Sequence, residues 1–195
     1  MVGVFNCRLS RKKKFHVQLV QVGEFNSDLI NKVKEHLIYV FPGSICTSSM
    51  VSEGLLKEGY NPQRNQYYST ILLRKVGKLV NNTQADRFLV LVKVDLYVPG
   101  LNFVFGEAEC PGRFAIVSTF RLKPKFYGEQ DEEIFVLRVK KEAVHELGHT
   151  LGLFHCTDPS CVMYFSNSIF DTDRKKEIFC RKCKEKVLGF LERFS

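Results

Sequence analysis

The chain has 195 residues and a mass of 22.5 kDa, with 45% hydrophobic and 26% charged residues, no Trp, 17 Phe and 7 Tyr. This balance suits one globular domain of roughly 100–200 residues and excludes a disordered polymer, a collagen-like fibre and a coiled coil. Lys plus Arg outnumber Asp plus Glu by 29 to 21, a formal charge of +8, which alone separates neither nucleic-acid binding nor attraction to acidic substrates from plain solubility.

Residues 16–23 alternate like a short strand. Residues 27–41 place Leu29, Ile30, Val33, Leu37 and Val40 at helical spacing, with Asn26 or Ser27 as N-cap and Pro42 past the end. A β-rich stretch, 44–51, follows and is closed by Gly54. Residues 62–80 read as a second helix, and Asn81-Asn82-Thr83 as a turn whose glycosylation sequon is discounted because nothing points to secretion. Residues 87–98 form the strongest strand signal, near-continuously aliphatic as in a strand buried on both faces. Two more strands are predicted at 102–107 and 114–120, then a polar loop at 123–133. A third helix is predicted at about 139–151 and a last one from Thr172 or Asp173 onward. Strands interleaved with helices indicate an α/β or α+β layered fold and leave parallel and antiparallel pairing open.

No apolar run approaches the ~20 residues that cross a bilayer. The first fifteen residues lack a signal-type apolar core, and Arg11-Lys12-Lys13-Lys14 comes too late for one, so a soluble cytoplasmic protein is expected; its oligomeric state is left open, with a monomer favoured. One domain should span 1–195, with sheet and two helices in 1–138 and the chemistry in 139–195.

That chemistry begins at His145-Glu146-Leu147-Gly148-His149-Thr150-Leu151-Gly152-Leu153-Phe154-His155. Positions i and i+4 share one helix face, so His145 and His149 can present two imidazoles to one metal, with Glu146 beside them as general base. Gly152 can end the helix in the left-handed conformation and return His155 as third ligand. Three imidazoles leave one position open, the layout of a catalytic zinc. A bare HExxH arises by chance in roughly one such chain in a hundred, whereas the eleven-residue pattern arises on the order of once in 100,000. The isolated His16 and His36 read as ordinary structural histidines.

Seven cysteines are too odd a number for a fully paired disulfide framework. Cys7, Cys46 and Cys110 are scattered and read as small buried hydrophobes. Cys156-x4-Cys161 and Cys180-x2-Cys183 supply two thiolate pairs, the usual make-up of a closed structural zinc site. In extended chain, adjacent side chains point apart, so His155 and Cys156 can serve different metals. The second zinc would pin loop 154–163 to the last helix and steady His155.

HExxHxxGxxH running into Cys-x4-Cys-x-Met and a later CxxC resembles the archaemetzincin family of metzincin-like zinc metallopeptidases. Residues 61–68, 95–106 and 161–168 are also similar to that family, so the likeness runs over about 60–185. It implies a mixed, twisted sheet with the active-site helix below an edge strand, which we assign to 114–120. It further implies His145, His149 and His155 on a catalytic zinc, Glu146 as base, Met163 in the turn beneath the metal, and the four cysteines on a second zinc. The family has one residue more between that methionine and CxxC than the sixteen here (164–179).

The expected activity is peptide-bond hydrolysis by a metal-activated water, with a peptide or protein substrate and no membrane partner. Two alternatives are a zinc-stabilised binding or structural protein without hydrolysis, and nucleic-acid binding, which no basic–aromatic stripe supports. An aminopeptidase would need an anion for the substrate amine, with Glu107, Glu109 and Asp95 as candidates. No residue stands out as a second electrophile: Tyr164 is a weak candidate and reads equally well as a packed side chain.

Overall fold

A computed structural model describes residues 13–80 and 83–194. Cys7, the Arg11-Lys12 half of the basic run and the Asn81-Asn82 half of the expected turn lie outside the described residues. The chain order is β1 (His16–Val22), α1 (Ser27–Val40), β2 (Ile45–Val51), a 3-10 turn (Glu53–Gly59), β3 (Tyr60–Asn61), β4 (Gln66–Tyr68), α2 (Ser69–Val80), β5 (Arg87–Val92), β6 (Leu96–Tyr97), β7 (Gly106–Ala108), β8 (Phe114–Ser118), a second 3-10 turn (Pro124–Tyr127), α3 (Glu132–Thr150), α4 (Ile169–Arg174), α5 (Arg181–Leu191) and a final 3-10 turn (Glu192–Phe194).

The main sheet runs β2-β1-β5-β8-β7. Its first four strands are parallel, and β7 pairs antiparallel with β8. Period-two alternation sorts its side chains into two cores. Leu19, Leu89, Leu91, Ala115 and Val117 face α1, α3 and α5, while Val20, Val22, Phe88, Val90, Val92 and Ile116 face α2. The continuous aliphatic run of β5 is thus covered on both sides, each buried side chain contributing roughly 1.5–3 kcal/mol. At the far edge, β2 is largely exposed, which suits its Thr47-Ser48-Ser49.

Several boundaries differ from the sequence reading. Residues 60–68 are a hairpin, and the helix starts only at Ser69. Asn61 Oδ1 accepts from the backbone N–H groups of Gln63 and Arg64 at 3.0 and 3.3 Å, a local turn that competes with a helix start. The strand expected at 87–98 breaks after Val92, where Arg121 grips the buried Asp95 with two 2.7 Å bonds. Leu96–Tyr97 then pairs with β4 in a small second sheet. The expected single last helix is two helices. Lys175 takes an extended conformation (φ −69°, ψ 151°) and buries its side chain, so the chain is free to re-enter helix at Cys180.

The strand assigned as the sheet edge is also corrected. β8 lies between β5 and β7, and the edge above α3 is the three-residue β7. α3 packs beneath β8 and β7.

Candidate active site and metal centres

α3 is capped by Asp131, whose side chain accepts from Ile134 N at 3.0 Å, and it runs 19 residues into the core. Its end is made by Gly152 at φ +89°, a left-handed position open to glycine, with Gly152 N donating to His149 O and Leu153 N to Gly148 O. The chain turns back there and brings His155 over the helix. The ligand nitrogens of His145, His149 and His155 all lie within 4.8 Å of one another. Nε2 of His145 and Nε2 of His149 are 3.1 Å apart. A tetrahedral zinc with Zn–N of about 2.0–2.1 Å separates its nitrogens by about 3.3 Å, so the residues fit the ion.

The ring orientations are set from behind. His145 Nδ1 donates to Val162 O at 2.8 Å and His149 Nδ1 to Leu153 O at 2.7 Å. A carbonyl can only accept, so the proton resides on Nδ1 and each Nε2 keeps its lone pair for a metal. Burial lowers the pKa of all three imidazoles, that of His145 most, which keeps them neutral and ligand-competent.

Glu146 is buried beside these rings. Burial, reinforced by the nearby Glu142 and opposed by Lys175, raises its carboxyl well above the usual carboxylate range. Two glycines let α3 approach its neighbours. A Cβ at Gly148 would collide with Met163 Sδ, so the methionine packs directly under the helix. A Cβ at Gly106 would lie 2.5 Å from Glu146 Oε1, so this carboxylate packs directly on β7. Above this floor opens a cleft of about 780 Å³, bordered by Gly106, Glu146, His149, Phe154 and Phe165. The Phe165 ring packs on His155 with centroids 4.9 Å apart.

The sulfurs of Cys156, Cys161, Cys180 and Cys183 also lie within 4.8 Å of one another. Cys156 Sγ and Cys180 Sγ are 3.8 Å apart, matching the spacing of about 3.8 Å for a tetrahedron with Zn–S near 2.3 Å. Cys180 caps α5 and Cys183 follows in its first turn. Cys156 N donates to Met163 O at 2.9 Å and Val162 N to Ile178 O at 3.1 Å, so the thiol loop and the methionine turn are one hydrogen-bonded unit.

The remaining sequence candidates separate. His16 bonds Thr47 Oγ1, and His36 Nε2 meets Glu177 O, both structural contacts. Cys46 is half-buried, its thiol pushed up to about 11 by burial, whereas Cys110 is exposed and borders the cleft, against the expectation that it is buried. Asp95 is committed to Arg121 and Gln66, and Glu109 accepts from the Arg113 and Phe114 backbone. Glu107 borders the cleft but accepts hydroxyl bonds from Ser69 and Thr70. Tyr164 is bridged to Cys156 and stays outside the cleft.

Sequence reasoning missed Glu142, whose Oε1 lies 2.9 Å from Lys175 Nζ in a fully buried pair. Its place three and four residues before His145 and Glu146 signalled a shared helix face. Lys175 carried no such signal, being one of many lysines. Gly106 and Gly148 were legible only as glycines.

What the fold and the cleft describe together is a metallopeptidase. The model of Peptidase family M54 matches residues 14–188. The archaemetzincin of Methanopyrus kandleri is 41% identical over 167 residues, covering 86% of this chain and 90% of its own. That of Thermococcus kodakarensis is 39% identical over 180 residues, covering 90% and 97%. Among solved structures, the Methanopyrus kandleri archaemetzincin superposes with a TM-score of 0.82 at 37% identity, covering 94% of this chain and 99% of that one. A zinc-dependent peptidase from Methanocorpusculum labreanum gives 0.80 at 30% identity, covering 88% and 99%. The chain belongs to Peptidase family M54, the archaemetzincins. As a peptidase it acts on peptide or protein substrates. Among the described residues, no helix is long and apolar enough to cross a membrane.

Proposed function

We propose a zinc-dependent peptidase with two zincs per chain. His145, His149 and His155 hold the catalytic zinc, Glu146 is the general base, and Cys156, Cys161, Cys180 and Cys183 hold the structural zinc. The observation that carries the reading is the convergence of three imidazoles, two with Nδ1–H already committed to carbonyls, beside a buried carboxylate at the floor of an open cleft.

Zinc bound at the histidines would supply the Lewis acidity that activates water and polarises a peptide carbonyl. The chain's own residues do the rest. Glu146 takes the proton of the attacking water and passes it to the leaving amine. The free edge of β7, bordering the cleft, supports pairing with an extended peptide. Met163, packed under Gly148, supports the floor of the site. A reducing compartment such as the cytoplasm suits four thiolate ligands and the unpaired Cys46 and Cys110. Every ligand comes from one chain, so a monomer suffices.

The test is digestion of a mixed peptide library by the two-zinc protein, read by mass spectrometry, with Glu146→Gln as control. Cleavage by wild type alone is expected, and the product ends separate N-terminal trimming from internal cutting. Equal cleavage by the Gln variant would remove Glu146 from the mechanism. No cleavage by either, with both zincs verified, would favour a zinc-stabilised binding protein.

A further inference from the structure

We infer that the edge strand β7 positions the general base: Gly106 seats the Glu146 carboxylate, and Glu107 holds Gly106 in place through its tether to α2. The inference rests on the assignment of Glu146 above.

Among the described residues, no donor bonds the Glu146 carboxylate, so packing decides where it points. The packing partner is main chain. A Cβ at residue 106 would lie 2.5 Å from Glu146 Oε1, 2.7 Å from its carboxyl carbon, and 2.6 Å from Ile116 O on β8. Gly106 has no positive φ, so glycine is required here for space and not for backbone freedom. Any larger residue would have to displace the carboxylate, the strand, or both.

β7 is only three residues long and has a neighbour on one side, pairing Gly106↔Val117, Glu107↔Ile116 and Ala108↔Ala115. Such a strand is weakly held. Its second anchor is Glu107, whose side chain alternates to the opposite face from Gly106. There its two carboxylate oxygens accept from Ser69 Oγ and from Thr70 Oγ1 (2.7 Å), in the first turn of α2. Negative charge is favoured at a helix N-terminus, which adds to the hold. The strand that borders the cleft therefore also aims the base, and peptide and base share one rigid reference. Misplacement of a reacting group by about 1 Å can cost 100-fold in rate, so small shifts of β7 matter.

The experiment is a double-mutant cycle on the two-zinc protein, using a peptide that wild type cleaves. Gly106→Ala is expected to keep both zincs and lower kcat roughly 10–100-fold, with KM within about twofold. Glu146→Asp shortens the carboxylate by one methylene and opens room for the new methyl. Adding Gly106→Ala to it should then cost less than about threefold in kcat. A stability arm needs no turnover: the Tm loss from Gly106→Ala should shrink in a Glu146→Ala background. Equal losses in both backgrounds would mean that the methyl acts only on Ile116 O and would overturn the seat.

For the tether, Ser69→Ala with Thr70→Val should lower kcat at unchanged KM and zinc content, and an unaffected kcat would overturn that half. If Gly106→Ala cannot be purified, the tether variants carry the test. Should Glu146→Gln retain full turnover, the base assignment fails instead, and the stability cycle still reports on the seat.

Discussion

His155 and Cys156 are consecutive residues that serve different ligand clusters, His155 with the imidazoles of α3 and Cys156 with the thiols at α5. The backbone between them is pinned by Cys156 N to Met163 O at 2.9 Å. Loss of one thiol should therefore reach both sites. Cys183→Ser is expected to release the structural zinc and to weaken the catalytic zinc by roughly 10–100-fold, the usual scale for losing a support behind a ligand. Zinc stoichiometry and chelator competition would read both; unchanged affinity at the histidines would rule the coupling out.

Gly148 and Met163 form a matched pair across the underside of α3. Gly148→Ala should cost roughly 1–3 kcal/mol through overpacking against the sulfur, and Met163→Ala roughly 2–5 kcal/mol through a cavity. Combined, the two should cost less than their sum, because the added methyl enters the vacated space. Urea unfolding of the four proteins would decide it, and strict additivity would contradict the contact.

Lys175 and Glu142 leave 0% and 3% of their side chains exposed, so the two opposite charges are withdrawn from water together. Thr172 Oγ1 adds a 3.1 Å bond to Glu142. Lys175→Met leaves a buried carboxylate unpaired and should destabilise the fold by roughly 3–5 kcal/mol. Lys175→Met with Glu142→Gln should recover part of that loss. A loss below about 1 kcal/mol for the single change, measured in urea, would show that the pair is not needed.

Three depressed histidine pKa values give the metal-free protein a defined acid response. The unfolded chain takes up protons near pH 6.5, while the folded chain resists to lower pH because burial disfavours imidazolium. Below about pH 6.5 the unfolded state thus binds more protons, so stability is complete above that pH and falls as pH drops. Chelated protein should lose Tm steadily from pH 6.5 downward. Replacing His149 by Gln should flatten the slope, and an unchanged slope would mean that His149 does not contribute.

The two clusters of ligand side chains were legible because each is built from local spacing. Positions 145 and 149 share a helix face by the 3.6-residue repeat, Gly152 supplies a turn only glycine accepts readily, and two close cysteine pairs can enclose one ion wherever they fold. The same held for β5, whose unbroken aliphatic run requires cover on both faces. These readings needed no partner from elsewhere in the chain.

Everything that depends on which segments meet was decided by tertiary structure. The edge strand is β7 and not β8, because edge status is a property of neighbours and not of residues. The last helix is split at Lys175, whose buried pairing with Glu142, 33 positions earlier, outweighs local helix preference. Gly106 and Glu146 stand 40 positions apart in sequence, yet one makes room for the other. Such contacts are set by the close packing of layers, where a single methyl has nowhere to go, and no window of sequence contains both partners.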